Sequence, residues 1–381
     1  MGHDRTTRLE PRVMDQKDSA LSIEERFQYL TIDGMKDHSL VHAQRFRSLP
    51  GISSEAESWQ WHVLETFFQL LVKNNGALEV NTSGTTGAPK RMTISREDLI
   101  ASARLTGGTF DLRENDRTLH CLPSNFIAGK MMLVRAMVLG LDLHLIDPRG
   151  SVLENLRTRD RFRFAAMVPL QLHRAIQEDR ARVEQQFEMI LLGGGPVSMA
   201  LIEDVRELNV QVFQGYGSTE TVTHVAMRRL NGRARSDRYH AIGQITFERD
   251  DRGCLIVHTP HLRTRSHFTN DLVDLIDERS FRWRGRYDNV ILSGGKKIFP
   301  EQLEERTGGL LPYPHFFMPI PDDKLGQAVA LVIETARPGK EAIQEVIDLL
   351  TNLLHPHEMP RRISATRKIQ RTQTGKMIRK I

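Results

Sequence analysis

The stretch "LHCLPSNFIAGKMMLVRAMVLGLDLHLI", residues 119–146, decides how the chain folds. Its two ends, 119–123 and 141–146, are short apolar runs with the length of buried strands, and 128–139 between them has the length and make-up of a helix. The same rhythm continues outward. "FAAMVP" (164–169), "MILLGG" (189–194) and "VQVFQGYG" (210–217) read as further buried strands, with helices expected over 170–178 and 198–208. Strands alternating with helices give an α/β fold, a mostly parallel sheet covered by helices on both faces. Such sheets bind ligands at the carboxyl ends of their strands. Here Gly193–Gly195 and Gly215–Glu220 follow two of those ends, which favours a nucleotide or a similar ligand.

Upstream, "SWQWHVLETFFQLLVKNNG" has apolar residues at helical spacing and stops at Asn75-Gly76. Ser95, with Asp98 three residues on, forms a capping box for "REDLIASARL". From about residue 253 the character changes. "GCLIVHT" and "SFRWRGRYDNVILSGG" are strands joined by turns, a smaller β-rich subdomain. The last segment combines "FFMPI", "AVALVIET", a helix over 339–354 and "ISATRKI", and ends in the basic tail "QRTQTGKMIRKI". The expected organisation is a disordered tail over 1–20, a large domain over 21–287 and a small α+β domain over 288–381. The boundary falls near Gly285–Asp288.

The chain of 381 residues carries a net charge of +5, with its basic residues scattered. That pattern speaks for solubility, or for polyanionic small substrates, rather than for nucleic acid. Cys121 and Cys254 are the only cysteines and have no CxxC partner, which excludes a structural zinc site and favours a reducing compartment. The charged start has no apolar core like that of a secretory signal, and the most apolar region is interrupted by Arg135 and Asp142. A cytoplasmic protein is expected.

"NTSGTTGAPKRMTIS" (81–95) is rich in glycine, hydroxyls and cations. A Walker loop needs GxxxxGK followed by Ser or Thr to hold magnesium. Here Pro89 precedes Lys90 and Arg91 follows it, so that reading fails. Glycine N–H groups and hydroxyls can still cradle phosphate. A plain polar hairpin turn is the alternative, and this loop alone leaves it open.

Six segments occur in order: "TSGTTGAPK" (82–90), "GGGP" (193–196), "GYGSTET" (215–221), "TNDLV" (269–273), "GRYDNVILSGGKKIFPEQLE" (285–304) and "TQTGK" (372–376). Together they resemble the adenylate-forming superfamily of acyl-CoA synthetases, peptide-synthetase adenylation domains and luciferases, from about residue 78 to the C-terminus. The resemblance implies a large domain and a mobile C-terminal lid. It also implies a two-step reaction: a carboxylate and ATP give acyl-AMP and pyrophosphate, and a thiol then takes the acyl group. ATP, Mg2+ and coenzyme A would be the cofactors. Two anionic reactants must meet, so oriented donors and mobile cations are needed.

By the same resemblance, Thr82, Ser83, Gly84, Thr85, Thr86, Gly87 and Lys90 grip the outer phosphates. Gly194, Gly195, Pro196, Gly215, Tyr216, Gly217, Ser218 and Thr219 wall the adenine slot. Glu220 binds magnesium, whose hardness suits an oxygen ligand. Asp271 and Arg286 hold the ribose. Lys376 swings in to bridge the carboxylate and the α-phosphate, a task suited to a compact charge on a long stem. Asp288 is the hinge, and Ser293, Gly294 and Gly295 line the CoA tunnel. Ordinary structural roles stand beside these: an exposed glutamate, a turn-capping aspartate, a solvated arginine or lysine, a packed tyrosine.

Within the superfamily, "LPSNFIAGKMMLVRAMVLGLDLHLIDP" (122–148) and "AAMVPLQL" (165–172) are similar to the o-succinylbenzoate–CoA ligases of menaquinone biosynthesis. That substrate has two carboxylates, and Arg135 would bind the one that does not react. Lys130 would assist, and Asn125, Thr223 and His224 would line the acyl pocket. A charge inside "KMMLVRAMVL" is costly to bury without a purpose, although a surface arginine can also snorkel. Two departures stand out: Asn270 replaces the usual glycine of "TGD", and Ser124-Asn125-Phe126 replaces the usual histidine or aromatic. A CoA ligase for another aryl or small acid, and an inactive nucleotide-binding regulator, are the competing functions.

Overall fold

The computed structural model describes residues 30–32, 35–37, 58–71, 77–81, 91–371 and 377–379. In chain order the elements of the large domain begin with β1 (Leu30–Ile32), β2 (Met35–Asp37), α1 (Trp59–Leu71), β3 (Leu78–Asn81), β4 (Arg91–Ile94), α2 (Arg96–Phe110), β5 (Arg117–His120), α3 (Ile127–Leu139) and β6 (Asp142–Leu145). They continue with β7 (Phe162–Met167), α4 (Pro169–Gln186), β8 (Phe187–Leu192), α5 (Met199–Arg206), β9 (Gln211–Gly217), β10 (His224–Arg229), β11 (Tyr239–Ala241), β12 (Thr246–Arg249), β13 (Cys254–His258), β14 (Ser266–Asp277) and β15 (Ser280–Arg286). The C-terminal part holds β16 (Ile291–Ser293), β17 (Lys296–Ile298), α6 (Pro300–Thr307), β18 (His315–Asp322), β19 (Gly326–Glu334), α7 (Lys340–Thr351) and β20 (Arg362–Thr366).

One thirteen-stranded sheet runs in the order β12-β13-β14-β15-β11-β10-β9-β8-β7-β5-β6-β1-β2. From β9 to β1 all neighbours are parallel, and from β9 to β12 all are antiparallel. The β-rich segment expected as a subdomain is therefore the antiparallel wing of the same sheet. In the parallel half, alternate strand residues feed two cores. Phe164, Ala166, Met189 and Leu191 pack with α1 and α3, whereas Ala165, Met167, Ile190 and Leu192 pack with α4 and α5. Apolar residues of both parities are what a sheet covered on both faces requires.

The expected helix over 170–178 continues to Gln186 past a break at Asp179, whose carboxylate caps the second piece through the Arg182 N–H (3.0 Å). Ser95 does cap α2, accepting from the Asp98 N–H at 3.2 Å. The reciprocal half of the box is diverted, because Asp98 accepts from the Arg263 N–H at 2.8 Å. The C-terminal sheet, β17-β16-β19-β18 with β20 beside β19, has its own apolar core around Phe317, Leu331, Ile333 and Val346. It meets the large domain where Gly309 abuts Ala200, and where Arg228 and Glu305 pair at 3.5 Å. No described helix is long and apolar enough to cross a membrane. The expected tail over 1–20 lies outside the described residues.

Candidate active site

The loop 82–90 and Lys376 lie outside the described residues, but the chain on either side of each does not. β3 and β4 pair antiparallel with Asn81 opposite Arg91, so the loop is carried on a two-stranded ribbon. A hairpin needs only about 2–5 loop residues, and the nine between the strands exceed what the turn requires. Around Lys376, Arg371 and Met377 pair as an antiparallel bridge, and the Ile378 N–H donates to the Gln370 carbonyl at 2.8 Å. Arg379 anchors this tail on Glu304, at 2.7 Å through Nη2.

At the carboxyl end of β8, Gly193 N–H donates to the Met167 carbonyl (3.1 Å), and Gly194 takes φ +80° to turn the chain towards Pro196. At the end of β9 the backbone of β10 folds straight back. A Cβ on Gly217 would lie 2.2 Å from the Thr223 carbonyl oxygen, so only glycine fits. The tip, Ser218–Val222, is held by Thr221, whose hydroxyl accepts from the Ser218 N–H at 2.9 Å and lies 2.8 Å from the Thr223 carbonyl. Val222 sits at φ +65°, an uncommon conformation for a β-branched residue and a mark of local strain. Glu220 is exposed at this tip, and its charge opposes the burial that pushes His267 below the usual histidine range. The described residues hold no cluster of three or more His, Cys, Asp or Glu for a metal. A lone exposed carboxylate nevertheless suits magnesium that takes its other ligands from phosphates and water.

The antiparallel wing delivers the next residues to the same end. Asp271 on β14 stands opposite Arg286 on β15 and pairs with it at 3.5 Å. The Tyr216 hydroxyl on β9 donates to Asp271 at 2.6 Å. Burial and the Asp271 carboxylate hold that hydroxyl well above its ordinary pKa, so it remains a donor. Tyr216, expected only as a wall, is thus also a partner of Asp271. Arg286 divides itself, reaching Asp288 at 3.4 Å. Asn270 donates to the same Asp288 carboxylate at 3.1 Å and accepts from Arg252 at 3.1 Å. The sequence reading had no role for Arg252. Its guanidinium also covers the Tyr287 ring at 5.5 Å. Gly294 (φ +55°) and Gly295 (φ +80°), between Ser293 and Lys296, form a two-residue hairpin turn, which is what demands two glycines there.

On the acid side, α3 is buried on every face from Gly129 to Val138, as its all-round apolar sequence requires. Its first turn is pressed against the end of β5, where a Cβ on Gly129 would lie 2.3 Å from the Pro123 carbonyl. Arg135 is 3% exposed and does not snorkel. Its Nη2 donates to the Thr223 hydroxyl at 2.7 Å and its Nη1 faces the Met132 sulfur at 3.5 Å, while Nε has no partner among the described residues. No described carboxylate pairs with it, and burial alone pushes it down to about 10. Thr223 Oγ1 is 3.1 Å from His224 Nδ1. The His224 ring is buried against Phe110, and its Nε2 has no partner among the described residues. Burial and the neighbouring Arg135 push this imidazole down to about 3.

Lys130 does not join them. Five residues on an α-helix are about 140° of rotation, and the Lys130 ammonium turns to Thr66 on α1 (3.4 Å), near Glu65 and Glu79. Asn125 is exposed at the start of α3, and beside it Ser124 is buried and hydrogen-bonded to His120 at 2.8 Å.

Comparison with known proteins places this geometry. The model of the AMP-binding enzyme family matches residues 41–250, so the chain belongs to that family. A solved acyl-CoA synthetase (AMP-forming)/AMP-acid ligase II-like protein from Dyadobacter fermentans is 34% identical, with TM-score 0.57, covering 88% of this chain and 96% of its own. The o-succinylbenzoate CoA synthetase of Bacillus subtilis, solved with its acyl-adenylate intermediate, is 24% identical with TM-score 0.67 over 79% of this chain and 67% of its own, a likeness of fold. Among curated proteins, the long-chain-fatty-acid–CoA ligase FadD13 of Mycobacterium tuberculosis is 25% identical over 79% of this chain. The 2-succinylbenzoate–CoA ligase of Bacillus subtilis is 26% identical over 78%. The alignment spans 65% of the length of the former.

Proposed function

We propose that this member of the AMP-binding enzyme family is an ATP-dependent acid–CoA ligase whose acid carries a second carboxylate, with o-succinylbenzoate as the first candidate. The chain joins carboxylate and ATP to give acyl-AMP and pyrophosphate, then lets the CoA thiol displace AMP. Asp271 accepts from the ribose hydroxyls, Tyr216 and Arg286 hold that carboxylate in place, and Glu220 would hold magnesium, whose charge would offset that of the phosphates. The loop 82–90 takes the leaving pyrophosphate. Lys376 places its ammonium between the two anions that must meet. Asp288 is the hinge about which residues 288–381 turn between the half-reactions, bringing Ser293, Gly294 and Gly295 to the CoA.

The observation that carries the substrate class is Arg135, a buried cation with no described carboxylate partner. Leaving such a charge uncompensated costs several kcal/mol, and an anionic substrate end would relieve it. The test is pyrophosphate exchange across a panel of carboxylic acids, followed by AMP release with and without CoA. Exchange that depends on a dicarboxylic acid is expected. Exchange with fatty or simple aryl acids alone overturns the substrate class, and nucleotide binding without exchange to any acid favours the inactive regulator. Lys376→Ala is expected to lose exchange by at least about 100-fold while a supplied acyl-adenylate still reacts with CoA.

A further inference from the structure

The Arg135–Thr223–His224 contacts contain more than a charge. A guanidinium has only donors, so at 2.7 Å the Thr223 oxygen accepts from Arg135. The proton of that hydroxyl then needs an acceptor, and the other described partner of Thr223 Oγ1 is His224 Nδ1 at 3.1 Å. That proton has a described acceptor when Nδ1 is the bare nitrogen of a neutral ring, which puts the ring proton on Nε2 and leaves the fewest buried polar atoms unpaired. This Nε2–H is buried and without a partner among the described residues, as is Nε–H of Arg135. Buried donors are rarely left without an acceptor, and two of them joined through one hydroxyl present a surface that only acceptors complete.

We infer that His224 is a specificity-determining residue, its Nε2–H donating to an oxygen of the acid's distal group, and that Thr223 is the positioning residue that sets this tautomer. The inference rests on the acid–CoA ligase proposed above. It narrows the acids to those with at least two acceptor oxygens at the end remote from the reacting carboxylate, that is, to dicarboxylic acids. An apolar acyl tail would leave both donors bare. Val222 belongs to the arrangement: its strained φ of +65° falls at the turn just before Thr223 and His224.

The test begins with the tautomer, which needs no turnover. Protein labelled with 15N-histidine, with His224→Gln used to assign the ring, is expected to show His224 as neutral Nε2–H at pH 7. Thr223→Val should remove that preference. An Nδ1–H or doubly protonated ring in the unaltered protein overturns the relay. Titration with o-succinylbenzoate should then move the Nε2–H resonance downfield, and an unmoved resonance at any concentration overturns the contact. In turnover, His224→Phe, which keeps the ring against Phe110, should lower kcat/KM for the diacid about 10- to 100-fold and leave benzoate within about 3-fold. His224→Gln, which restores a donor at the same reach, should recover most of the loss. Equal losses on both acids, or no rescue by glutamine, reduce His224 to a packing residue. If no acid supports pyrophosphate exchange while the tautomer is as expected, the ligase activity fails and the relay stands.

Discussion

The two ends of the candidate site treat charge in opposite ways. On the nucleotide side, Asp271, Arg286, Asp288, Asn270 and Arg252 pair with one another in a half-exposed network, and each has a protein partner before any ligand arrives. On the proposed acid side, Arg135 and His224 are buried and each keeps a nitrogen without a partner among the described residues. The first arrangement is satisfied by itself, and on the proposed function it binds by exchanging partners. The second is costly by itself, and on the proposed function an acid completes it from outside and makes it selective.

This contrast predicts unequal responses to mutation. The largest concerns Arg135→Met. Replacing an unpaired buried charge with an apolar chain of similar length should raise the stability of the ligand-free protein by about 1–4 kcal/mol, seen as a higher urea midpoint. The same change should cost the diacid about 2–5 kcal/mol in kcat/KM. A destabilised protein would show that the arginine is compensated after all. Next, Asp271→Asn keeps the shape but removes the charge that Arg286 and Tyr216 share, and should raise KM for ATP by about 10- to 100-fold, at roughly 1.5–3 kcal/mol for a charged hydrogen bond. An unchanged KM with lowered stability would make Asp271 merely structural.

A third response is to acid. His120 and His224 are buried and pushed down to about 3. The unfolded chain, with histidines near pKa 6.5, binds the proton first, so each histidine's contribution is complete above about pH 6.5 and is lost as pH falls towards 3. The slope is about 1.4 kcal/mol per pH unit for each. His120→Phe should therefore lose less stability than the unaltered protein between pH 7 and pH 5, by urea unfolding. The smallest effect belongs to Asn270→Gly, which frees Asp288 and Arg252 without touching a buried group. About 0.2–1 kcal/mol is expected for an exposed contact, read as a change in the ratio of the half-reaction rates. If that ratio stays fixed while stability drops, the Asn270–Asp288 contact has no part in hinge motion.

How much of this was legible follows the same division. Strands β5 to β9 are short and apolar, and all but β6 and β7 are separated by helices, so local pattern reveals them, and the glycines of β9 and of the β16–β17 turn mark where the backbone needs them. The ribbon β3–β4 was missed, because "LEVN" and "RMTI" are short and half polar and pair only across the loop. The antiparallel wing read as a separate unit because its continuity with β9 runs through β10 and β11, a matter of long-range pairing. Of the acid side, the burial of Arg135 follows from a helix apolar on all sides. Its contact with Thr223, 88 residues away, has no local signal, and the wrong partner, Lys130, was nearer in sequence but faces α1.

The separate ribbon carries a further consequence. It shares no backbone pairing with the thirteen-stranded sheet and is held by the side chains of Leu78, Val80 and Ile94 packed near α2 and α3. A residue inserted into or deleted from 82–90 shifts no register in the main sheet, where a slip of one residue would turn every side chain to the wrong face. The architecture thus insulates its frame from length variation in this loop.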